Sequence, residues 1–267
     1  MPQVSRYLKQ PSDAAALVEV FGNRRVEQGW SYATVRDYCD SLDRIPHITG
    51  KDGDLKNVQR PWAVKAVLGS RRPPARVLEI GGGEPVVSGF LSELGYDVTL
   101  IDPYDGFGNG PTDYVRYSQL FPHVKIVRDY FAREMSNFQA GSFDVILSVS
   151  VLEHIPPAPL RSCFAAIKEA LRPGGLSIHC FDYVLQGNGQ EHAFENALQI
   201  FDEQSGVDST ATAQGALQHV IDELRGDVET FFLSPLGHHH WRGGVPYDQF
   251  PFRKVVSLQT VAAKPAT

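Results

Sequence analysis

A run of glycines after a short apolar segment is the first feature of this sequence that could do chemistry. Residues 79–83 read Glu-Ile-Gly-Gly-Gly and directly follow the apolar pair Val77 and Leu78. Glycine has no Cβ, so the backbone can approach a ligand closely, and positive φ angles cost little there. A strand that enters a helix through such a turn is typical of nucleotide-binding α/β proteins. The turn therefore predicts a site for a cofactor that contains a nucleoside.

A carboxylate follows at the spacing needed to bind a ribose. Asp102 comes about 20 residues after the glycines and directly after a predicted strand at 97–101. A dinucleotide-binding turn would read Gly-x-Gly-x-x-Gly, but its last position, counted from Gly81, is Val86. This departure disfavours a nicotinamide enzyme. The structural alternative for Asp102 is a simple turn former.

Histidines stand at two further places where acid–base chemistry could occur. His154 follows the predicted fourth strand, at the sheet edge where ligands gather in open α/β folds, and is the leading candidate for a general base. His238, His239 and His240 adjoin Trp241 and predict an acceptor-binding pocket, with His239 as a second catalytic candidate. The alternatives are a structural role for His154 and a structural loop or metal site for the cluster. Adjacent histidines seldom all face one ion, so we predict no metal.

From residue 76 onward, short apolar runs alternate with helical stretches, a pattern typical of βαβ units and a parallel sheet. Helices are predicted from about Pro85 to Gly95 and from about Pro157 to Leu171. We therefore predict an α/β fold with a Rossmann-like, doubly wound, mostly parallel sheet of seven strands. The predicted strands are 76–80, 97–101, 123–127, 143–148, 176–180, 229–233 and 254–260.

Two helical regions are predicted outside this core. Residues 1–72 read as a mostly helical N-terminal cap, and residues 73–267 as the cofactor-binding domain. Within that domain, an acidic insertion at about 186–228 carries two amphipathic helical patterns. Further candidates for acceptor binding are Trp62 in the first cap, and Asp182 and Tyr183 after the fifth strand. The alternatives are core anchoring, which is favoured for Trp62, and packing for the other two.

The composition disfavours several classes of protein. The 267-residue chain has 42% hydrophobic and 21% charged residues, which is typical of a globular protein. Its net charge of -6 disfavours nucleic-acid and anionic membrane partners. The 3 cysteines match neither a zinc module nor a disulfide framework. The sequence has neither a signal-peptide pattern nor a run of about 18 apolar residues. We expect a soluble, cytoplasmic protein, with a homodimer as an open alternative.

Four segments together resemble the class I S-adenosylmethionine-dependent methyltransferases. Residues 77–83 are similar to the first motif of that family, 98–102 to the second, 143–155 to the fourth-strand motif, and 171–176 to the turn into the fifth strand. The resemblance covers residues 76 to 182. It implies S-adenosylmethionine as the cofactor and methyl transfer to a small-molecule or glycan acceptor, for which we favour oxygen as the acceptor atom.

The resemblance also implies how the cofactor is held. Methyl transfer from a sulfonium is an in-line displacement, so the protein mainly aligns the acceptor and excludes water. A helix cap is the structural alternative for Asp129. The implied roles are the methionine moiety for Glu79, Gly81, Gly82, Gly83 and Ser148, the ribose for Asp102 with the adjoining Pro103, and adenine for Asp129, Tyr130 and Tyr104.

Two other functions remain open at this point. A nicotinamide-dependent oxidoreductase on a Rossmann fold would share the glycine turn, but Val86 and the turn at 171–176 disfavour it. A non-catalytic binding module would keep the fold as a scaffold, but the intact residues Glu79 and Asp102 disfavour that function. Methylation of nucleic acid is weaker still, because the sequence Asp-Pro-Tyr at 102–104 lacks a proline of the amino-methylase motif and follows the wrong strand.

Overall fold

The computed structural model describes residues 6–106, 110–132, 138–205 and 210–266, which form a seven-stranded sheet with helices on both faces. The strand order across the sheet is β1-β7-β6-β5-β2-β3-β4. Strands β2 to β6 are parallel, while β7 is antiparallel to both of its neighbours. This arrangement confirms the predicted Rossmann-like α/β fold. The strands are β1 (Gly29–Tyr32), β2 (Arg76–Ile80), β3 (Asp97–Ile101), β4 (Lys125–Val127), β5 (Phe143–Val149), β6 (Leu171–Gln186) and β7 (Lys254–Ala263).

The helices bury the two faces of the sheet in separate core clusters. Neighbouring strand residues alternate between the clusters, so that Val145 packs in one and Ile146 in the other. No helix of the described residues is long and apolar enough to cross a membrane. The helices are α1 (Pro11–Gly22), α2 (Val35–Arg44), α3 (Lys56–Ser70), α4 (Val86–Glu93), α5 (Tyr114–Leu120), α6 (Pro157–Ala170), α7 (Gln190–Ser205), α8 (Thr210–Gly226) and α9 (Pro235–Arg242).

One edge of the sheet differs from the sequence prediction. The predicted strand at 229–233 is wrong, because its residues Thr230 and Phe232 make only isolated bridges. The edge is formed instead by β1, which pairs antiparallel with β7 and comes from the segment predicted to be mostly helical. The β1 residue Trp30 stacks on Phe201 of α7, which fixes this short strand against the helical layer.

The two amphipathic patterns predicted between 186 and 228 correspond to α7 and α8. Phe201 of α7 and Leu217, Ile221 and Leu224 of α8 are buried in the same core cluster as α6. The positions 206–209 between these helices lie outside the described residues. The division of the chain into a cap and a cofactor-binding domain stays a prediction.

Close packing of α4 against the N-terminal segment depends on Gly89. A Cβ at this position would lie 2.5 Å from ring atoms of Phe121 and 3.3 Å from the ring of Tyr7. The carboxylate of Glu93, one turn further along α4, accepts the backbone N–H groups of Tyr7 and Leu8 at 3.0 and 2.9 Å. The N-terminal segment is therefore held directly over α4, which is the helix that follows the glycine turn.

The same substitution at two helical glycines should have opposite effects. Gly89→Ala should lower the free energy of unfolding by about 1–3 kcal/mol, because the added methyl group overpacks the contact with Phe121. Gly215→Ala, in α8 where nothing lies within 4 Å of the added carbon, should raise it by about 0.5–1 kcal/mol. Urea unfolding of both variants tests this. A Gly89→Ala protein as stable as the wild type would contradict the packing described for α4.

Candidate active site

The glycine turn connects β2 to α4 and leaves its backbone uncovered. Gly81 and Gly83 have φ angles of 65° and 51°, in the left-handed region that favours glycine. A Cβ at Gly82 would lie 2.5 Å from a methyl group of Leu100, so a larger residue does not fit there either. The turn is anchored to the neighbouring strand, because the N–H of Gly81 donates to the carbonyl of Ile101 at 2.8 Å.

Asp102 fixes the turn from the end of β3. Its Oδ2 accepts the N–H of Gly83 at 3.0 Å, and its Oδ1 accepts the N–H of Tyr104 at 2.7 Å. Burial raises the pKa of the Asp102 carboxyl, while these two backbone donors act to lower it. The carboxylate therefore holds the backbone of two loops in place.

Tyr104, predicted to contact adenine, lies away from the cavity. Its side chain is buried, does not line the cavity, and donates its hydroxyl to the carbonyl of Gly83 at 2.9 Å. The left-handed backbone of Tyr104, with φ of 50°, accompanies this placement of the ring among Tyr114 and Tyr117. The ring therefore supports the glycine turn from the protein interior.

Glu79 lies at the end of β2, just before the glycines. Its Oε2 accepts the N–H of Ser88 at 2.9 Å and also the hydroxyl of Ser88. Burial raises the pKa of the Glu79 carboxyl, and both bonds from Ser88 oppose this rise. Glu79 thus ties the end of β2 to the first turn of α4 and also contributes to the cavity wall.

A cavity of about 1310 Å³ lies over the carboxyl ends of β2, β3, β5 and β6. Sites for one drug-sized ligand typically measure about 300–1,000 Å³, so this cavity has room for a cofactor and a second molecule. The glycine turn, Asp102 and Asp129 line one part of it. The other part is lined by Glu153, His154 and Asp182 from the sheet edge, and by Asp54, Lys56, His192, Asn196, Trp241, Arg242, Phe250 and Arg253.

Two carboxylates stand together on the floor of this second part. Oε1 of Glu153 accepts a hydrogen bond from the backbone N–H of Asp182 at 2.9 Å. Oδ1 of Asp182 accepts a hydrogen bond from Nε2 of Gln59 at 2.8 Å. The other oxygen of Glu153 is buried and has no hydrogen-bond partner among the described residues. Burial and the charge of Asp182 raise the pKa of Glu153 to about 8, and burial also raises the pKa of Asp182. The pair therefore retains a proton at neutral pH.

His154 lies beside this pair at the cavity mouth. Its Nε2 is 4.0 Å from Oε1 of Glu153, and its side chain is 52% exposed. Desolvation lowers the pKa of the imidazole below its ordinary value of 6.5, although the charge of Asp182 opposes this shift. At neutral pH the ring is therefore uncharged and able to accept a proton.

Three more predicted site residues lie away from the cavity instead of lining it. Ser148 is buried opposite His179 of β6, with its hydroxyl 2.8 Å from Nδ1 of that ring. Trp62 packs against the core cluster beneath α3. Tyr183 is buried in the cluster of α6 to α8, because successive side chains of a strand point to opposite faces and Asp182 takes the cavity side.

The three adjacent histidines lie on α9 and do not form the predicted acceptor-binding pocket. His238 is buried and stacks on the ring of Phe250, with 5.5 Å between ring centroids. His239 and His240 are exposed, and none of the three histidines lines the cavity. The structure therefore places His239, predicted as a catalytic residue, and His238 and His240, predicted as acceptor contacts, away from the cavity. Trp241, the next residue of α9, does line the cavity.

The cavity also contains residues that the sequence analysis missed. They are the cations Lys56 and Arg60 of α3, the cations Arg242 and Arg253, and the acid Glu153. No ligand spacing marks these positions in the sequence. Among the described residues, no three histidine, cysteine or carboxylate side chains are arranged to hold a metal ion. The predicted cofactor residues that do line the cavity are Glu79, Gly81, Gly82, Gly83, Asp102, Pro103, Asp129 and Tyr130.

Residues 55–210 match the model of a protein family described as a methyltransferase domain. The chain belongs to this family. It is a methyltransferase of the S-adenosylmethionine-dependent class, so the family, the enzyme class and the cofactor predicted from the sequence are confirmed. The matched region begins just before α3 and ends at the start of α8, and it includes the glycine turn, Asp102 and the Glu153–Asp182 pair.

Individual relatives match parts of this methyltransferase. A ubiquinone biosynthesis O-methyltransferase of Nitrosococcus oceani is 36% identical over 102 residues, which are 38% of this chain and 40% of the relative. Another of Acinetobacter baylyi is 24% identical over 177 residues, covering 62% of this chain and 70% of the relative. The chain thus spans about two fifths of the length of relatives such as the first.

Solved structures of methyltransferases are also similar to this chain. Phosphoethanolamine N-methyltransferase 2 of Haemonchus contortus, in complex with S-adenosyl-L-methionine, has a TM-score of 0.48 and 18% identity, covering 97% of this chain and 75% of that chain. The 1,6-didemethyltoxoflavin-N1-methyltransferase of Burkholderia thailandensis has a TM-score of 0.43 and 16% identity, with coverage of 95% and 91%.

Removing one acceptor oxygen from Asp102 should weaken cofactor binding. In Asp102→Asn the amide nitrogen cannot accept a backbone N–H, so the bond to Gly83 or to Tyr104 is lost and the turn loosens. We expect roughly tenfold or greater loss of affinity for S-adenosylhomocysteine by calorimetry. Asp97→Asn, at the exposed start of the same strand, is the matched control and should bind normally. Unchanged affinity of a folded Asp102→Asn protein would contradict this role.

The raised pKa of Glu153 should make the protein less stable as the pH rises. Between about pH 5 and about pH 8 the unfolded chain releases this proton while the folded protein keeps it, so the free energy of unfolding falls. Glu153→Gln, which imitates the protonated acid, should lose less stability over this range. Urea unfolding at both pH values measures the difference, with the exposed Glu195→Gln as control. Equal pH dependence of Glu153→Gln and the wild type would contradict the shifted pKa.

Proposed function

We propose that this methyltransferase transfers a methyl group from S-adenosylmethionine to a hydroxyl oxygen of a small-molecule acceptor. The observation that supports this most directly is that Glu153, His154 and Asp182 share one cavity with the glycine turn. A hydroxyl becomes a good nucleophile when its proton is removed, and the neutral imidazole of His154 is a proton acceptor in this cavity. The names of the relatives, which are O-methyltransferases, also favour oxygen.

The glycine turn and the carboxylates around it suit the proposed cofactor. The turn offers bare backbone where a Cβ would block a ligand, Asp102 offers carboxylate oxygens for ribose hydroxyls, and Asp129 lies further along the same wall. Arg60 lies 3.5 Å from Glu84, next to the turn, and is suited to the carboxylate of the methionine moiety. When bound, the cofactor supplies an electrophilic methyl group on a positively charged sulfur.

His154 is the proposed general base for the acceptor hydroxyl. The imidazole is neutral at pH 7 because desolvation lowers its pKa, and it stands at the mouth of the acceptor part of the cavity. Once the ring has taken a proton, the charge of Asp182 stabilises the imidazolium. Glu153, which accepts the backbone N–H of Asp182, fixes the position of that carboxylate.

The helical regions outside the sheet are proposed to cover the acceptor and exclude water. Lys56 and Arg60 of α3 line the cavity from the N-terminal region, and His192 and Asn196 of α7 line it from the insertion. Nδ2 of Asn196 also lies 3.5 Å from the carbonyl of Glu153, which links α7 to the floor. Exclusion of water protects the methyl donor and strengthens electrostatic interactions in the site. A glycan acceptor, a homodimer and a cytoplasmic location stay predictions.

Loss of the imidazole should slow turnover without weakening cofactor binding. His154→Ala should lower kcat roughly 100-fold with a catechol acceptor, while the affinity for S-adenosylhomocysteine stays at the wild-type value. His219→Ala, on the exposed face of α8, is the control. The wild-type rate should be constant between about pH 7 and 8 and fall as the pH drops below the ordinary histidine value of about 6.5, where the base becomes protonated.

Product analysis tests the acceptor atom itself. Mass spectrometry and NMR of the product should show one added methyl group on oxygen. Transfer only to nitrogen or sulfur acceptors, in a panel that includes catechol, would rule out the proposed reaction. Unchanged turnover in His154→Ala would remove this residue as the base while leaving the acceptor assignment to the product analysis.

A further inference from the structure

Two arginines line the end of the cavity that α9 and the start of β7 form. The guanidinium of Arg253 lies over the ring of Phe250, 4.8 Å from its centroid, and donates to the carbonyl of Asn188 at 3.4 Å. Nη2 of Arg242 is 3.5 Å from Nδ1 of His239. The Nε atoms of both arginines are buried without a hydrogen-bond partner in the described part of the chain.

Neither arginine has a carboxylate within 4.0 Å among the described residues. Other described arginines also lack such a partner, but Arg242 and Arg253 combine this lack with a position in the cavity wall and a buried Nε atom. Burial lowers the pKa of the Arg253 guanidinium, and the charge of Asp182 opposes this shift. The arginines that do have a carboxylate within that distance are Arg24, Arg36, Arg44, Arg60, Arg72, Arg76, Arg172 and Arg225.

Both arginines lie near the side chain of His238. Both lower the pKa of His238 through their charge, so this ring lies within electrostatic reach of each. Arg253 also interacts electrostatically with Asp182 on the floor. In the sheet, Asp182 pairs with Ser257, and Arg253 comes four residues earlier, just before the first residue of β7. The floor and the two arginines line the same cavity.

Aromatic side chains border the space between these two ends. Trp241 and Phe250 both line the cavity. The indole Nε1 of Trp241 donates to Oδ2 of Asp54 at 2.7 Å, which fixes the orientation of the ring. The far end of the cavity thus combines apolar ring surface with two cations for which the described residues provide no carboxylate within 4.0 Å.

We propose that the methyl acceptor carries an anionic group, a carboxylate or a phosphate, which Arg253 and Arg242 bind while its ring lies against Trp241 and Phe250. The planar guanidinium presents paired donors that match the oxygens of either group. This inference rests on the proposed function, because it names the acceptor class of the same cavity. The anionic group would place negative charge directly beside the two arginines, where no carboxylate of the described residues lies within 4.0 Å.

Binding of matched ligands to the protein in complex with S-adenosylhomocysteine tests the proposal. The probes are catechol, 3,4-dihydroxybenzoate and 3,4-dihydroxyphenylphosphonate, which share the ring hydroxyls and differ in the anionic group. Calorimetry should show roughly tenfold or tighter binding of an anionic probe than of catechol. The preferred anion distinguishes a carboxylate-bearing from a phosphate-bearing acceptor.

Variants assign this preference to the arginines. In Arg253→Gln the anionic probe should bind less than about threefold more tightly than catechol. Arg242→Gln should lower this ratio of affinities in the same direction. Arg253→Lys keeps the charge but not the paired donors and should retain part of the advantage. Arg44→Gln, which removes an exposed cation of α2, is the control and should keep all of it. Unchanged affinity for S-adenosylhomocysteine shows that each variant is folded.

Several results would overturn the proposal. They are equal affinity of the wild type for catechol and both anions, an anion preference that survives in Arg253→Gln, and no binding of any probe. Methyl transfer to the same probes is measured separately by mass spectrometry. Tighter binding of the anionic probes without methyl transfer to a hydroxyl would contradict the proposed reaction but support the anion site. Methyl transfer to a hydroxyl without tighter binding of the anionic probes would support the proposed reaction but contradict the anion site.

Discussion

The bonds from Asp102 to two backbone N–H groups are the interaction on which the site depends. They join the glycine turn after β2 to the loop after β3, and they hold Gly83 in a left-handed conformation next to Tyr104. The strands themselves are in register, with Ile80 beside Ile101, so the turn and the acid must end at the same edge. Two adjacent strand ends therefore provide a ligand with both an accessible backbone and a carboxylate.

Charge is distributed unevenly around the cavity. The sheet edge supplies partly or fully buried acids, including Glu79, Glu153 and Asp182, whose pKa values burial raises. Cations reach this space from outside the sheet, namely Lys56 from α3 and Arg253 from the segment before β7, and both act on Asp182 through their charge. Desolvated carboxylates either keep a proton or require a nearby cation. The segments around the cavity thus influence the protonation of the carboxylates on its floor, and they also border the cavity.

The buried parallel strands could be predicted because each is an apolar run of its own, but the edges depend on tertiary contacts. The segment 229–233 carries apolar side chains because Phe231 and Leu233 belong to a small core cluster, and not because the segment is a strand of the sheet. The real edge strand has four residues, too few for a visible period. Helix α9 had a local signal, Ser234 as an N-cap before Pro235, which the histidines after it obscured.

The position of the family match explains why the cofactor part of the cavity was easier to predict than the acceptor part. The match ends at residue 210, before Trp241, Arg242 and Arg253. The glycine turn and Asp102 interact with each other through backbone atoms, so their geometry constrains residue types strongly. The acceptor wall is built from side chains on α9 and the following loop, whose contact with the floor is electrostatic through Asp182. Such a wall can change its chemistry without disturbing the turn, and this is why acceptor specificity leaves little pattern in the sequence.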